Sequence, residues 1–346
     1  RFFESNPRLC KRHLFSSCDL LCLNFSLQPL PYHIRIRDLL KSGHRDLWNW
    51  FSSAEANSDF SEAVQLELLK STYRLNRQDH EEIYAYCDEV KSKLELDVPV
   101  TLYQSQDDGG VGQASLYFTP GHGHVVFGGK ILSLLDSSER KALLGHELAH
   151  FKLWVQENGD FLVADRILVQ MAGDARSEPS HFHSARLYRL YTEIYADRGC
   201  LLVSDSAETG VSTLIKSVTG TKEVNPKAYL EQSEEIFQKL GKSIRSEEFS
   251  HPENFIRARA MKLWAEMDRS DTVGSSIGQG VIDPEVEKIE TEIEKVIEGG
   301  WSLDELDLTR QQRLTGLTRE ILIHLLKPEW VRTGRTLSHA KLFFSD

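Results

Sequence analysis

Cysteine is scarce in this chain: five residues in 346 (Cys10, Cys18, Cys22, Cys87 and Cys200), an odd number with no CxxC pair. That count argues against a disulfide framework and against a cysteine-ligated metal site, and it fits a reducing compartment. Long apolar runs are also missing. Even the stretch 131–148 is interrupted by Asp136, Glu139, Arg140 and Lys141, short of the roughly 18 apolar residues that a membrane-spanning helix needs. Basic charge is in the minority, 41 Lys and Arg against 52 Asp and Glu, and the resulting net charge of -11 makes nucleic acid a poor partner. With 40% hydrophobic and 27% charged residues the composition is that of an ordinary globular protein. Its length suits two domains, or one with helical additions. We expect a cytoplasmic location, or export if residues 1–30 act as a targeting segment; that basic, Ser- and Cys-containing stretch otherwise reads as disordered or as a misassigned start.

Periodicity divides the rest. Residues 38–51, 61–75 and 79–94 place apolar positions at helical spacing, which predicts an N-terminal helical region over 31–96. From residue 98 the pattern changes to short β-branched or aromatic runs, 98–104, 113–119 and 124–127, separated by Gly-rich turns around 107–112 and 120–123. That reads as a small antiparallel sheet. Asp136 followed by Glu139 has the form of a capping box and opens a helix in which Leu143, Leu144, Leu148, Phe151 and Trp154 recur at helical spacing. Further helices are predicted over 184–203, 226–240 and 252–267, then a linker over 269–284 that holds Gly274, Gly278 and Gly280. Beyond it, 285–297 and 308–326 are amphipathic, within a C-terminal helical region 285–346 of no evident chemistry. The predicted class is α+β, mainly helical, with the sheet preceding the helix that carries the motif.

That motif is His146-Glu147-Leu148-Ala149-His150. On a helix, residues four apart stack on one face, so the two imidazoles can converge on one tetrahedral metal. Glu147 lies about 100° round the helix, off the ligand direction but able to reach a water on the metal. A catalytic zinc takes three protein ligands and leaves one position open. A third His six residues beyond the second is absent, since Gln156 stands there. Glu193 is the candidate instead, an acid on an apolar and aromatic helical stretch, with Asp197 one turn further along the same face. Asp197 can then accept the free ring N–H of a ligating His. A structural ion pair of Glu193 with Arg189 or Arg198 is the plainer alternative.

The stretches 128–132, 144–150, 193–198 and Ser250-His251-Pro252 with Arg257 together resemble the HtpX-like and CAAX-prenyl-protease family of zinc metalloendopeptidases, gluzincins whose third ligand is the Glu of a Glu-x-x-x-Asp motif. The resemblance covers roughly 97–268. It implies a zincin-type protease domain, one zinc per chain on His146, His150 and Glu193, and catalysis through Glu147. It also implies His251 as an oxyanion stabiliser or extra ligand, and Arg257 in support of the site. Family members often have Asn-Ala on the strand before the motif helix where this chain has Gln113-Ala114, and the membrane helices of some members are missing.

We therefore expect a protease that acts on polypeptide docked in extended form beside strand 113–119, with Gln113, Ala114 and Ser115 as the substrate strand. A zinc-stabilised chaperone or adaptor, and a zinc hydrolase of non-peptide substrates, are the alternatives. His122 and His124 read as exposed turn residues, His181 and His183 likewise, and Trp48 and Trp50 as core.

Overall fold

The structure is a computed structural model that describes residues 27–106, 113–204, 206–240, 254–266, 291 and 306–326. The linker and the greater part of residues 1–30 and 285–307 fall outside them, as do His251 and the turn at 107–112. The architecture is α+β, mostly helical around a four-stranded sheet.

Three helices come first, α1 (Pro31–Gly43), α2 (Arg45–Phe51) and α3 (Ala54–Ser71), followed by strand β1 (Thr72–Arg74) and α4 (Glu81–Lys93). Residues 72–74 thus form a strand where helical periodicity was expected to continue to 75. Strands β2 (Val100–Ser105), β3 (Ala114–Thr119) and β4 (His122–Phe127) complete a sheet of order β1-β2-β4-β3. It is mixed rather than antiparallel. The chain leaves β2, runs to the far edge as β3, and returns through a turn at Pro120-Gly121, which sets β4 parallel to β2. Gly121 makes that turn possible with φ +72°, a backbone region costly for residues with a Cβ.

Alternation along the strands gives the sheet two apolar faces. Leu102, Val125 and Phe127 join the main core, while Tyr103 and Val126 pack with Val64 and Leu68 of α3. His122 and His124 belong to β4 and not to a turn. His124 is buried, with its ring nitrogens within hydrogen-bond distance of Tyr103 Oη (3.2 Å) and Thr119 Oγ1 (3.1 Å). Trp48 is buried, but Trp50 is 61% exposed, so only one member of that pair belongs to the core.

After a short turn of helix, α5 (Ile131–Leu134), comes the central α6 (Ser137–Val155). Its capping box is complete: Asp136 Oδ1 accepts from the N–H groups of Ser138 and Glu139, both at 2.9 Å, and the Asp136 N–H donates to Glu139 Oε2 at 2.9 Å. Glu139 also accepts from Ser212 Oγ (2.7 Å) and Lys216 Nζ (2.8 Å), so no oxygen of this buried carboxylate lacks a donor. From Ala142 to Leu153 nearly every residue of α6 is buried, the mark of a helix covered on all sides.

A tight turn of left-handed residues, Glu157, Asn158 and Gly159, leads into α7 (Asp160–Gly173). Then follow α8 (Pro179–Ser204), α9 (Ala207–Thr219), α10 (Pro226–Leu240), α11 (Asn254–Glu266) and α12 (Leu308–Leu326). One continuous core takes in residues of α1, α4, the sheet and α6 to α8. α12 is tied on at its start, where the Leu308 N–H donates to Ser184 Oγ (2.9 Å) and Tyr32 Oη donates to Asp307 (2.8 Å).

Candidate metal centre

α6 and α8 cross so closely that neither Gly145 nor Gly199 has room for a side chain. A Cβ on Gly199 would lie 2.4 Å from that of Ala149, and one on Gly145 would lie 2.9 Å from the Gly199 carbonyl. This approach brings Glu193, on the preceding turns of α8, over His146 and His150. The imidazole Nε2 atoms of the two histidines are 3.2 Å apart. Glu193 carboxylate oxygens lie 3.4 Å from His146 Nε2 and 3.7 Å from His150 Nε2. One donor atom from each of the three residues falls within 4.8 Å of the other two, a spacing that can hold a metal ion.

Around this triad stands a second set of charges. Asp197 Oδ1 is 3.0 Å from His146 Nδ1, and Asp197 takes two hydrogen bonds from Arg257, at 2.7 and 2.6 Å. Arg257 Nη1 also lies 3.0 Å from Glu193. Arg257 therefore ties α11 to both acids of α8, in place of the Arg189 or Arg198 ion pair considered for Glu193. His150 differs from its partner: its Nδ1 is buried and has no hydrogen-bond partner among the described residues.

The electrostatics follow from burial and these contacts. Burial works against a charged His146, but hydrogen bonds to Asp197 and Glu193 outweigh it and push the ring up to about 10. Burial lowers His150 to about 4, Glu193 only partly offsetting it. Asp197 is buried and Glu193 half-buried, yet Arg257 and His146 hold both carboxyls below their ordinary range. Glu147 has no such cation in contact, and burial raises its carboxyl to about 7. The donor set thus draws positive charge to the space between the three side chains. Two imidazole nitrogens and a carboxylate make a donor set that fits a divalent metal.

The triad lies in a cleft of about 510 Å³. α6 forms its floor, and one wall is β3, the last strand in the sheet order, from which Ala114, Ser115 and Leu116 line the space together with the preceding Gln113. Asp165 and Val169 of α7, Arg189 of α8, and Leu214 and Val218 of α9 complete it. These last residues escaped sequence reading because α7 and α9 carry no motif. Arg189 alone left a signal, standing one turn before Glu193 on the same helix face.

The cleft thus gathers two histidines and two acids beside a sheet edge, a set that could hold a metal ion. The chain is similar to the chloroplastic plastoglobule-localised metallopeptidase 48 of Arabidopsis thaliana, 26% identical over 235 residues. The match spans 63% of this chain and 66% of that relative, just under two thirds of its length. That relative's name places it in the chloroplast, whereas the cysteine content here led to an expectation of the cytoplasm. No protein-family model matches the chain, and no solved structure does. No described helix is long and apolar enough to cross a membrane.

Proposed function

We propose that this protein is a zinc-dependent endopeptidase of the HtpX-like gluzincin type, with His146, His150 and Glu193 holding one zinc per chain and Glu147 acting as general base. The observation that carries this reading is the convergence of those three donor atoms within 4.8 Å on the floor of a cleft walled by a sheet edge. The named activity of the Arabidopsis relative supports it.

Zinc bound there would polarise a carbonyl and lower the pKa of a water from 15.7 to about 7. The chain's own residues supply the rest. β3 offers backbone N–H and C=O groups along its outer edge, so a polypeptide can lie beside Gln113, Ala114 and Ser115 as an added strand. Glu147, one residue from a ligand, accepts a proton from the attacking water and passes it to the leaving amine. Asp197 accepts the Nδ1 proton of His146, which leaves the Nε2 lone pair for the metal. Arg257 holds Asp197 and Glu193 in place. His251, outside the described residues, keeps its proposed role in steadying the oxyanion or as an extra ligand.

Metal analysis together with digestion of casein, with and without a chelator, tests this reading. About one zinc per chain is expected, with cleavage that the chelator abolishes. Stoichiometric zinc without chelator-sensitive cleavage of casein would overturn the protease reading and favour a zinc-stabilised adaptor.

A further inference from the structure

The cleft differs chemically from one end to the other. Between Leu143 and Trp154 its floor spans about 16 Å of α6. α9, bonded to Glu139 at the start of α6, contributes Leu214 and Val218 together with Thr213 and Ser217; α7, which follows the Trp154 end of α6 through the turn at 157–159, contributes Asp165 and Val169, one turn apart on the same face. Asp165 is half-buried in the wall, and its carboxylate makes no hydrogen bond among the described residues. Burial pushes it up to about 6 even though Arg189 and Arg166 act on it from a distance. Such a carboxylate gains by meeting a further cation. The Trp154 indole also lines the cleft, with the Phe118 and His150 rings against it, and its buried Nε1 has no hydrogen-bond partner among the described residues.

We propose that the Trp154 end of the cleft is a subsite for a Lys or Arg side chain of the polypeptide, its stem on Trp154 and Val169 and its charge on Asp165. The proposal rests on the protease reading and deepens it by naming a substrate preference. Long basic side chains suit such a place because their methylenes cover apolar surface while the charged head finds its acid. Arg189 could invite an acidic side chain instead, but it is exposed and screened by solvent, whereas Asp165 is held in the wall where screening is weaker. The subsite's place in the peptide follows from the helix. Trp154 is one turn, about 5 to 6 Å, beyond His150. That distance is about two residues of extended chain, so the basic residue belongs about two positions from the scissile bond.

The test uses a peptide library varied around the scissile bond. Wild-type protein is assayed for cleavage, and the zinc-loaded Glu147→Gln protein for binding of the same peptides by fluorescence anisotropy. Lys or Arg should be preferred over Ala and Glu by roughly tenfold or more at one position, the size of a charge-assisted hydrogen bond. In Asp165→Asn that ratio should fall towards one, and in Asp165→Lys the preference should turn to Glu. Absence of a basic preference in wild-type cleavage and in Glu147→Gln binding would overturn the subsite and leave the protease reading standing where cleavage occurs; a basic preference that survives in Asp165→Asn also overturns it. Selective binding of basic peptides with no cleavage by wild type would instead sustain the subsite and sink the protease reading.

Discussion

At the scale of single residues, neighbours on one helix turn stand in opposite surroundings. His146 is held by Asp197 and faces Glu193, while Glu147, next to it in sequence, is buried without a cation in contact. The proposed ligand and the proposed base should therefore respond differently to truncation. Glu147→Gln keeps the side chain's shape and should retain stoichiometric metal while losing about 10²- to 10⁴-fold in kcat/KM on a peptide substrate. Glu193→Ala should lose the metal as well, and stoichiometric zinc retained by that variant would sink the ligand assignment. Asp197→Ala removes the acceptor of His146 and a partner of Arg257 together, and metal affinity measured against a competing chelator should fall about 10- to 100-fold. These residues were legible in the sequence because their chemistry is local: two imidazoles one turn apart, and an acid where the helix pattern asks for an apolar residue. The Arg257 contact to both acids was not legible from spacing, since it joins residues 60 positions apart in sequence; it entered through the family resemblance.

At the scale of elements, the crossing of α6 and α8 decides whether the ligands meet. Gly199→Ala places a methyl group 2.4 Å from the Ala149 Cβ, so the helices must separate. Overpacking of this kind costs roughly 1 to 3 kcal/mol, and in denaturant melts it should come with weakened metal binding, because Glu193 rides on the displaced helix. Ala149→Gly in the same chain should recover part of both losses; no recovery would place the strain elsewhere. A second joint ties α1 to α8. The Leu30 N–H donates to His33 Nδ1, so the ring proton is on Nε2, from which it goes to Thr192 Oγ1, itself a donor to the Tyr188 carbonyl. His33 is thus held neutral, and burial, with Arg198 nearby, lowers its pKa to about 3. Between that value and the ordinary 6.5 the unfolded chain binds more protons, so the folded state loses stability as pH falls through this window. The advantage of wild type over His33→Gln should be full above pH 6.5 and shrink, by on the order of a few kcal/mol, towards pH 3 in urea melts. The Asp136 capping box made the start of α6 readable; α7 and α9 passed unread, although α9 opens on Ser206, whose side chain accepts from the Thr209 N–H. Gly199 carried a faint signal, an isolated glycine inside a helix, which costs about 1 kcal/mol unless packing demands it.

At the scale of the whole molecule, the α+β class was legible from the switch of period near residue 98, whereas the parallel pairing of β2 with β4 was not. Strand direction depends on where the chain crosses, and the local pattern of 98–104 and 124–127 is the same for either direction. The candidate centre ties the layers of this fold together, since its ligands come from α6 and α8 and its support from α11. Two acids, a charged guanidinium and two imidazoles share that space, and a divalent ion that binds only the folded arrangement must raise stability by mass action. At a free metal concentration about a thousand times Kd the gain is about 4 kcal/mol. At roughly 2 to 4 °C per kcal/mol for chains of a few hundred residues, this corresponds to a rise in Tm of about 8 to 16 °C. Thermal melts of chelated protein, with and without zinc added back, measure it directly. Wild type and Glu147→Gln should show the rise equally, because Glu147 lies outside the proposed ligand set; Glu193→Ala should show little. A rise of equal size in Glu193→Ala would mean that zinc stabilises the fold from some other place, and the centre on α6 and α8 would no longer account for it.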